Sequence, residues 1–149
     1  MSFLSAFNTS VSGMTAQRQR VNTISENIAN AETTRTPQGG PYRRREVILA
    51  SVANDRTFEE ELLSRDRSVS TSTEVKVVGI VQDERPPILR FEPGHPDANE
   101  EGYVEMPNVN IMEEMVNLMS ANRSYEANTA AFNATKNMVQ SALDLGRNA

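Results

Sequence analysis

Residues 113–136 read EEMVNLMSANRSYEANTAAFNATK, a stretch without Pro or Gly whose apolar side chains recur at helical spacing. Steps of four and three from Ile111 trace Met115, Leu118, Asn122, Tyr125, Thr129, Phe132, Lys136, Val139 and Leu143, the 3.5-residue repeat of a coiled-coil seam. One heptad position is apolar throughout: Ile111, Leu118, Tyr125, Phe132 and Val139. The other runs Met115, Asn122, Thr129, Lys136, Leu143 and is polar in its middle. A helix over 111–145 would be about 52 Å long at 1.5 Å per residue, more than the width of a small domain. Its ends are marked: Asn110 with Glu113 reads as an N-cap with a reciprocating carboxylate, Glu113 and Glu114 suit the positive end, and Gly146 reads as the residue that stops the helix.

The same half-apolar seam recurs at the other end of the chain. From Phe3 to about Ala31, Phe7, Met14, Val21 and Ile28 form a uniformly apolar line, whereas Leu4, Val11, Arg18 and Ser25 turn polar partway. Gly13 costs about 1 kcal/mol relative to Ala inside a helix and marks the first two turns as separable. Between the helices the pattern changes. TPQGGP (36–41) is a loop, YRRREVILASV (42–52) and EVKVVGIVQ (74–82) have the β-branched content of strands, and PPILRFEPGHPDA (86–98) reads as an edge segment followed by a turn. SRDRSVSTSTE (64–74) is polar and of low complexity. The expected fold is α+β: long N- and C-terminal helices paired as a coiled-coil-like hairpin, with a small β-rich insert. The units are an N-terminal assembly helix (1–31), a loop and β-rich insert (32–107) and a C-terminal assembly helix (108–149).

Composition limits function. The chain has 149 residues, 15 Lys and Arg against 20 Asp and Glu, and a formal charge of -5, which argues against a general nucleic-acid binder. Apolar residues are 38% and Trp is absent, a thin supply for a self-sufficient globule. Each buried apolar seam residue contributes roughly 1.5–3 kcal/mol, while ordering each backbone residue costs roughly 1–2 kcal/mol. A lone helical hairpin is marginal on these terms, and helix surface from other chains is the expected remedy. The polar seam residues Arg18, Ser25, Asn122, Thr129 and Lys136 would then fix register and partner choice. With no Cys, disulfides and thiolate chemistry are excluded. The N-terminus MSFLSAFNTSVSGM has neither a basic n-region nor a signal-length apolar run, and no membrane span is written in the chain.

Candidate chemistry is sparse. His95 is the only histidine and lies near Asp97, Glu100 and Glu101, but no second His or Cys completes a ligand set. A hydrolase or metal enzyme centred on it would lose activity on His95→Ala. Asp97, Asn99 and Glu101 alternate as calcium ligands do, without the glycine and terminal glutamate of an EF-hand loop. RRR (43–45) suits docking on an acidic neighbour or plain solvation, and PQGGP lacks the Lys and Ser/Thr of a phosphate loop. Arg123 and Glu126 stand three apart on one helix face, where an ordinary surface ion pair forms. No catalytic, cofactor or metal site is expected.

NIANAETTRTP (27–37) resembles the Asn-Ala-Asn-type motif, with a following Thr, that closes the first helix of flagellar axial proteins. PNVNIMEEMVNLMSANRSYEAN (107–128) resembles their C-terminal signature. The matching positions are Asn27, Asn30, Thr33, Asn108, Val109, Glu114, Met115, Val116, Arg123, Tyr125, Glu126, Ala127 and Asn128. GGPYRRREVIL (39–49) and FEPGHPDANEEGYVEMPNVN (91–110) resemble the proximal-rod branch of that family; 64–74 carries no family signature.

The resemblance implies a non-enzymatic subunit of a helical tube that crosses the periplasm, transmits torque and surrounds an export channel. Such a subunit leaves the cytoplasm through the flagellar type III export apparatus without a cleaved signal peptide. Its implied partners are further copies of itself and rod proteins of the FlgB, FlgF, FlgG and FliE type. Its terminal helices would pack with those of neighbours through Leu4, Phe7, Val11, Met14, Val21, Ile28, Ile111, Met115, Leu118, Tyr125, Phe132, Val139 and Leu143. Arg18 and Lys136 are candidates for the polar or lumen-facing side. A soluble coiled-coil adaptor or export chaperone is the alternative reading.

Overall fold

A computed structural model describes residues 3–53 and 73–147; most of the low-complexity stretch 64–74 therefore lies outside the described residues. Helix α1 spans Phe3–Ala29 and helix α2 spans Ile111–Arg147. Between them come β1 (Arg45–Ala53), β2 (Thr73–Gln82), β3 (Ile88–Phe91) and β4 (Tyr103–Met106). The helices lie antiparallel, as the contacts Phe7–Phe132, Gly13–Asn128 and Asn27–Glu114 require. The architecture is the α+β arrangement expected from the two periodic ends.

α1 is the middle layer. It packs on α2 along one side and carries the β1–β2 ribbon on another. The ribbon is antiparallel from Arg45↔Gln82 to Ala53↔Thr73, with a register irregularity between Ile48 and Leu49. Val47, Leu49, Val75 and Val77 are half-buried, whereas Ile48 and Val78 are exposed, the period-2 alternation of a one-faced sheet. Side chains of α1 fix the ribbon: Thr9 Oγ1 donates to the Thr73 carbonyl (3.1 Å) and Ser12 Oγ accepts from the Val75 N–H (3.1 Å).

The second ribbon pairs β3 with β4 from Ile88↔Met106 to Phe91↔Tyr103. Four residues are too few for a strand to show in the periodicity, and nothing in the sequence pattern marks β4. What makes it possible is Gly102, at φ 81°, where a side chain would be strained and a Cβ would sit 3.0 Å from the Phe91 ring. The close turn brings Phe91 and Tyr103 into edge-to-face contact at 5.3 Å and buries Val104 completely.

Three local expectations are corrected. α2 continues through Gly146 to Arg147, and Gly146 is not among the glycines with positive φ, so it does not form the left-handed stop. The Asn110 cap is one-sided. Its Oδ1 accepts from Met112 N at 3.1 Å and Glu113 N at 3.5 Å, while among the described residues no bond returns from the Glu113 carboxylate. Finally, α1 is continuous through Gly13, so its first two turns are not a separate unit.

Just beyond β2, the Asp83 N–H donates to the Arg44 carbonyl (2.8 Å), and the Asp83 carboxylate accepts from Arg85 Nε (2.8 Å). The Arg85 hydrogen bonds hold the Asp83 carboxyl at a pKa of about 2, below its ordinary 3.8. A depressed carboxyl pKa contributes stability that is present above the unfolded value and lost as pH falls toward the folded one. Asp83→Asn should therefore melt below the parent at pH 6, with the gap closing between about pH 4 and pH 2; thermal melts across that range check this.

Candidate functional site

The best-defined group of side chains lies where the C-terminal end of α1 meets the start of α2. Asn27 is fully buried and Glu114 is 1% exposed. Asn27 Oδ1 accepts from the Tyr42 hydroxyl (3.0 Å) and the Arg45 N–H (2.9 Å), and its Nδ2 donates to the Arg45 carbonyl (2.8 Å) and to Glu114 Oε2 (2.9 Å). All four hydrogen-bonding positions of the amide are filled. The side chain pairs with both backbone groups of Arg45, as a neighbouring strand would. Glu114 Oε1 accepts from Arg44 Nε at 2.9 Å, and Arg44 extends to Glu46 at 3.2 Å.

Electrostatics suit this clasp. Burial raises the Tyr42 pKa, so the phenol stays a neutral donor. Burial alone would lower that of Arg44, but its hydrogen bond and attraction to Glu114 prevail and the net shift is upward. An ion pair removed from water is a weak source of net stability, yet a strong determinant of register. Here it locks α1, the start of β1 and α2 at one point. Next to it, Asn30 donates from Nδ2 to the Glu26 carbonyl (2.9 Å) and accepts from Thr33 Oγ1 (3.2 Å), which closes the end of α1. The motif residues Asn27, Asn30, Thr33 and Glu114 thus act together in three dimensions. Sequence alone assigns no role to Tyr42 or to Arg44: Arg44 belongs to the RRR run, and its acidic neighbour proves to be Glu114 in the same chain.

Along the helix pair the deepest contacts are small or polar. Glu114, Ala121 and Thr135 are buried on α2, with Asn128 half-buried in the same heptad line. They face Ser10, Gly13, Ala16, Ile24 and Asn27 of α1, all buried. A Cβ on Gly13 would stand 3.0 Å from the Asn128 amide, so any side chain there has to push that amide aside. The uniformly apolar lines flank this contact: Phe7, Met14, Val21 and Ile28 on α1, and Leu118, Phe132 and Val139 on α2, are half-buried, and Phe7 meets Phe132 edge-on at 4.9 Å. Ile111 and Tyr125 on the same α2 line are more open. The seam that closes the pair is therefore not the one marked by large side chains.

The mixed lines face outward. Leu4, Val11, Arg18 and Ser25 are exposed, as are Met115, Asn122, Lys136 and Leu143; only Thr129 is half-buried, donating to Met14 Sδ at 3.4 Å. Since Phe7–Phe132 and Met14–Thr129 close one flank of the pair, these two outward lines run side by side on that flank. Met112, Val116 and Met119 widen the strip at the start of α2 and are exposed too. Of the remaining motif residues, Val109 is buried, Asn108 is half-buried, and Arg123, Glu126 and Ala127 are exposed. No ion pair joins Arg123 to Glu126 among the described residues.

The enzyme-like candidates stay scattered. His95 Nδ1 accepts from the Asp97 N–H in a turn (3.1 Å), Asp97 accepts from Thr34 Oγ1 (2.8 Å), and Asn99 Oδ1 takes the N–H groups of Glu101 and Tyr103. His95 and Asn99 are occupied in turn formation, and Asp97 ties that turn to the loop after α1. Among the described residues no three His, Cys, Asp or Glu side chains gather as a metal site, and no helix is long and apolar enough to cross a membrane.

Comparison with known proteins matches both helical ends and then the whole chain. The family described as "Flagella basal body rod protein" covers residues 7–35, and "Flagellar basal body rod FlgEFG protein C-terminal" covers 100–145. The flagellar basal-body rod protein FlgC of Borreliella burgdorferi is 43% identical over 96% of this chain and 97% of its own length. That of Bacillus subtilis is 43% identical over 99% and 100%, and that of Escherichia coli O6:H1 is 38% identical over 99% and 100%. The chain belongs to the FlgC family of flagellar basal-body rod proteins. As a FlgC-family member it is a structural subunit of the rod.

Proposed function

We propose that the chain is a torque-bearing subunit of the proximal rod, crossing the periplasm around the export channel and contacting rod proteins of the FlgB, FlgF, FlgG and FliE type. It is exported by the flagellar type III apparatus without a cleaved signal peptide, and it performs no catalysis. The observation that carries this reading is the outward strip: Met112, Met115, Val116 and Met119 are exposed together on the first turns of α2, contiguous exposed apolar surface of that kind marks an interaction site, and Leu4 and Val11 are exposed on the same flank at the far end of the pair. Arg18 and Asn122 interrupt it midway, where polar groups penalise a neighbour docked out of register. The clasp anchors the β1–β2 ribbon to the helix pair, so load entering one reaches the other through ordered hydrogen bonds.

The test is Met119→Glu. On an exposed position the substitution changes the stability of the purified chain by no more than about 0.5 kcal/mol. In cells that depend on the variant, swimming is lost and isolated basal bodies lack the chain. Normal swimming would refute the assembly role of this strip.

A further inference from the structure

The two poles of the molecule complement each other. With Phe7 beside Phe132 and Gly13 beside Asn128, the start of α1 at Phe3 falls level with about residue 137 of an antiparallel partner helix. α2 runs on to Arg147, so its last turns, roughly 15 Å at 1.5 Å per residue, extend past α1. Every residue from 140 to 147 is exposed, Leu143 at 66% and Leu145 at 74%. The last described turn carries Arg147, and the partial negative charge of a helix C-terminus favours a cation.

At the opposite pole a cleft opens between β3 and the first turn of α2. It is lined by Ile88, Val109, Ile111, Met112, Glu113 and Arg85 among others. Ile88, Ile111 and Met112 are exposed there, giving an apolar floor for leucines. The Arg85 side chain, itself 61% exposed, gives Nε and Nη2 to Asp83 and has Nη1 left for helix-end carbonyls, while Glu113 stands ready for Arg147. The lining also carries Arg44, but Glu114 and Glu46 meet its charge and Asp83 meets that of Arg85, which leaves Glu113 as the lining charge without an ion-pair partner among the described residues.

We infer that the overhanging end of α2, with Leu143, Leu145 and Arg147, docks in the Ile88–Ile111–Met112 cleft of a second copy of this chain. The contact joins unlike surfaces, so it is not a two-fold pairing and repeats head to tail from one copy to the next. It rests on the rod-subunit reading and names one of that subunit's neighbours.

Because the chain has no Cys, introduced thiols report alone. The experiment makes Met112→Cys, Leu145→Cys and the double variant the only copies in cells, isolates basal bodies and treats them with a short bismaleimide. Both substitutions are at exposed positions. The double variant should give a ladder of linked chains, and each single variant should stay monomeric. Dimers from one single variant would mean a symmetric contact and overturn the inference. Absence of a ladder would overturn it, as would linkage of the Leu145→Cys thiol to a chain of different mass, and in both cases the rod reading stands provided the chain is present. Basal bodies that contain none of the unsubstituted chain would instead refute the rod reading.

Discussion

Replacing Arg44 by Met is expected to lower the melting temperature of the purified protein by about 10 °C, from a loss of about 3 kcal/mol. Glu114 is 1% exposed and receives Arg44 Nε at 2.9 Å. Removing the guanidinium leaves a carboxylate shielded from water with only the Asn27 amide beside it. Breaking one side of a buried pair costs more than the pair contributes. The double variant Arg44→Met/Glu114→Gln should therefore recover most of the loss, since a neutral amide oxygen still accepts from Asn27 Nδ2. Urea unfolding of the four proteins measures this coupling. Equal effects of the single and double variants would show that the charge pair does not hold the clasp.

Gly13→Leu should destabilise by about 1–2 kcal/mol and abolish swimming. Overpacking costs roughly 1–3 kcal/mol, and the helix-propensity gain over Gly offsets up to about 1 kcal/mol of it. The difference arises because there is no slack: the Cβ alone meets both terminal atoms of Asn128 at 3.0 Å, and that amide is held by the Ser124 carbonyl at 2.9 Å. A leucine forces the helices apart and separates Phe7 from Phe132. Adding Asn128→Ala vacates the space and should restore a large part of the stability, as read by thermal melting. Unchanged stability in Gly13→Leu would mean that the helices are not held this closely.

These two sites show what the sequence could and could not reveal. Apolar periodicity marks α1, α2 and the one-faced β1–β2 ribbon, because large side chains repeat with the period of the backbone. It does not say which line closes the pair. In a subunit with several neighbours, apolar residues serve surfaces beyond its own core, and here the closest contact falls to Gly13, Ala16, Ala121 and Asn128, small or polar residues that hydrophobicity ignores. Among the described residues the buried apolar side chains are only Ala16, Ile24, Ala31, Val104, Pro107, Val109 and Ala121, in keeping with the thin composition. In the sequence Glu114 is a charge suited to the helix end, and only the approach of Asn27 and Arg44 from distant segments makes it a buried acceptor. The motif residues are recognisable by resemblance, but their shared hydrogen bonds exist only once the chain has folded. Gly146 fails as a stop because glycine permits a left-handed turn without demanding one.

Thiol reactivity at two positions, compared between the free protein and isolated basal bodies, tests the division of the helix faces most directly. Thr135 lies on the buried line of α2 and Asn122 on the outward one. Thr135→Cys should react slowly in both states. Asn122→Cys should react rapidly in the free chain and become at least tenfold slower in the basal body, where a neighbouring chain covers it. If the Asn122→Cys thiol remained as reactive in the basal body as in solution, the outward line would not be an assembly surface, and the division of each helix between its own chain and its neighbours would be wrong.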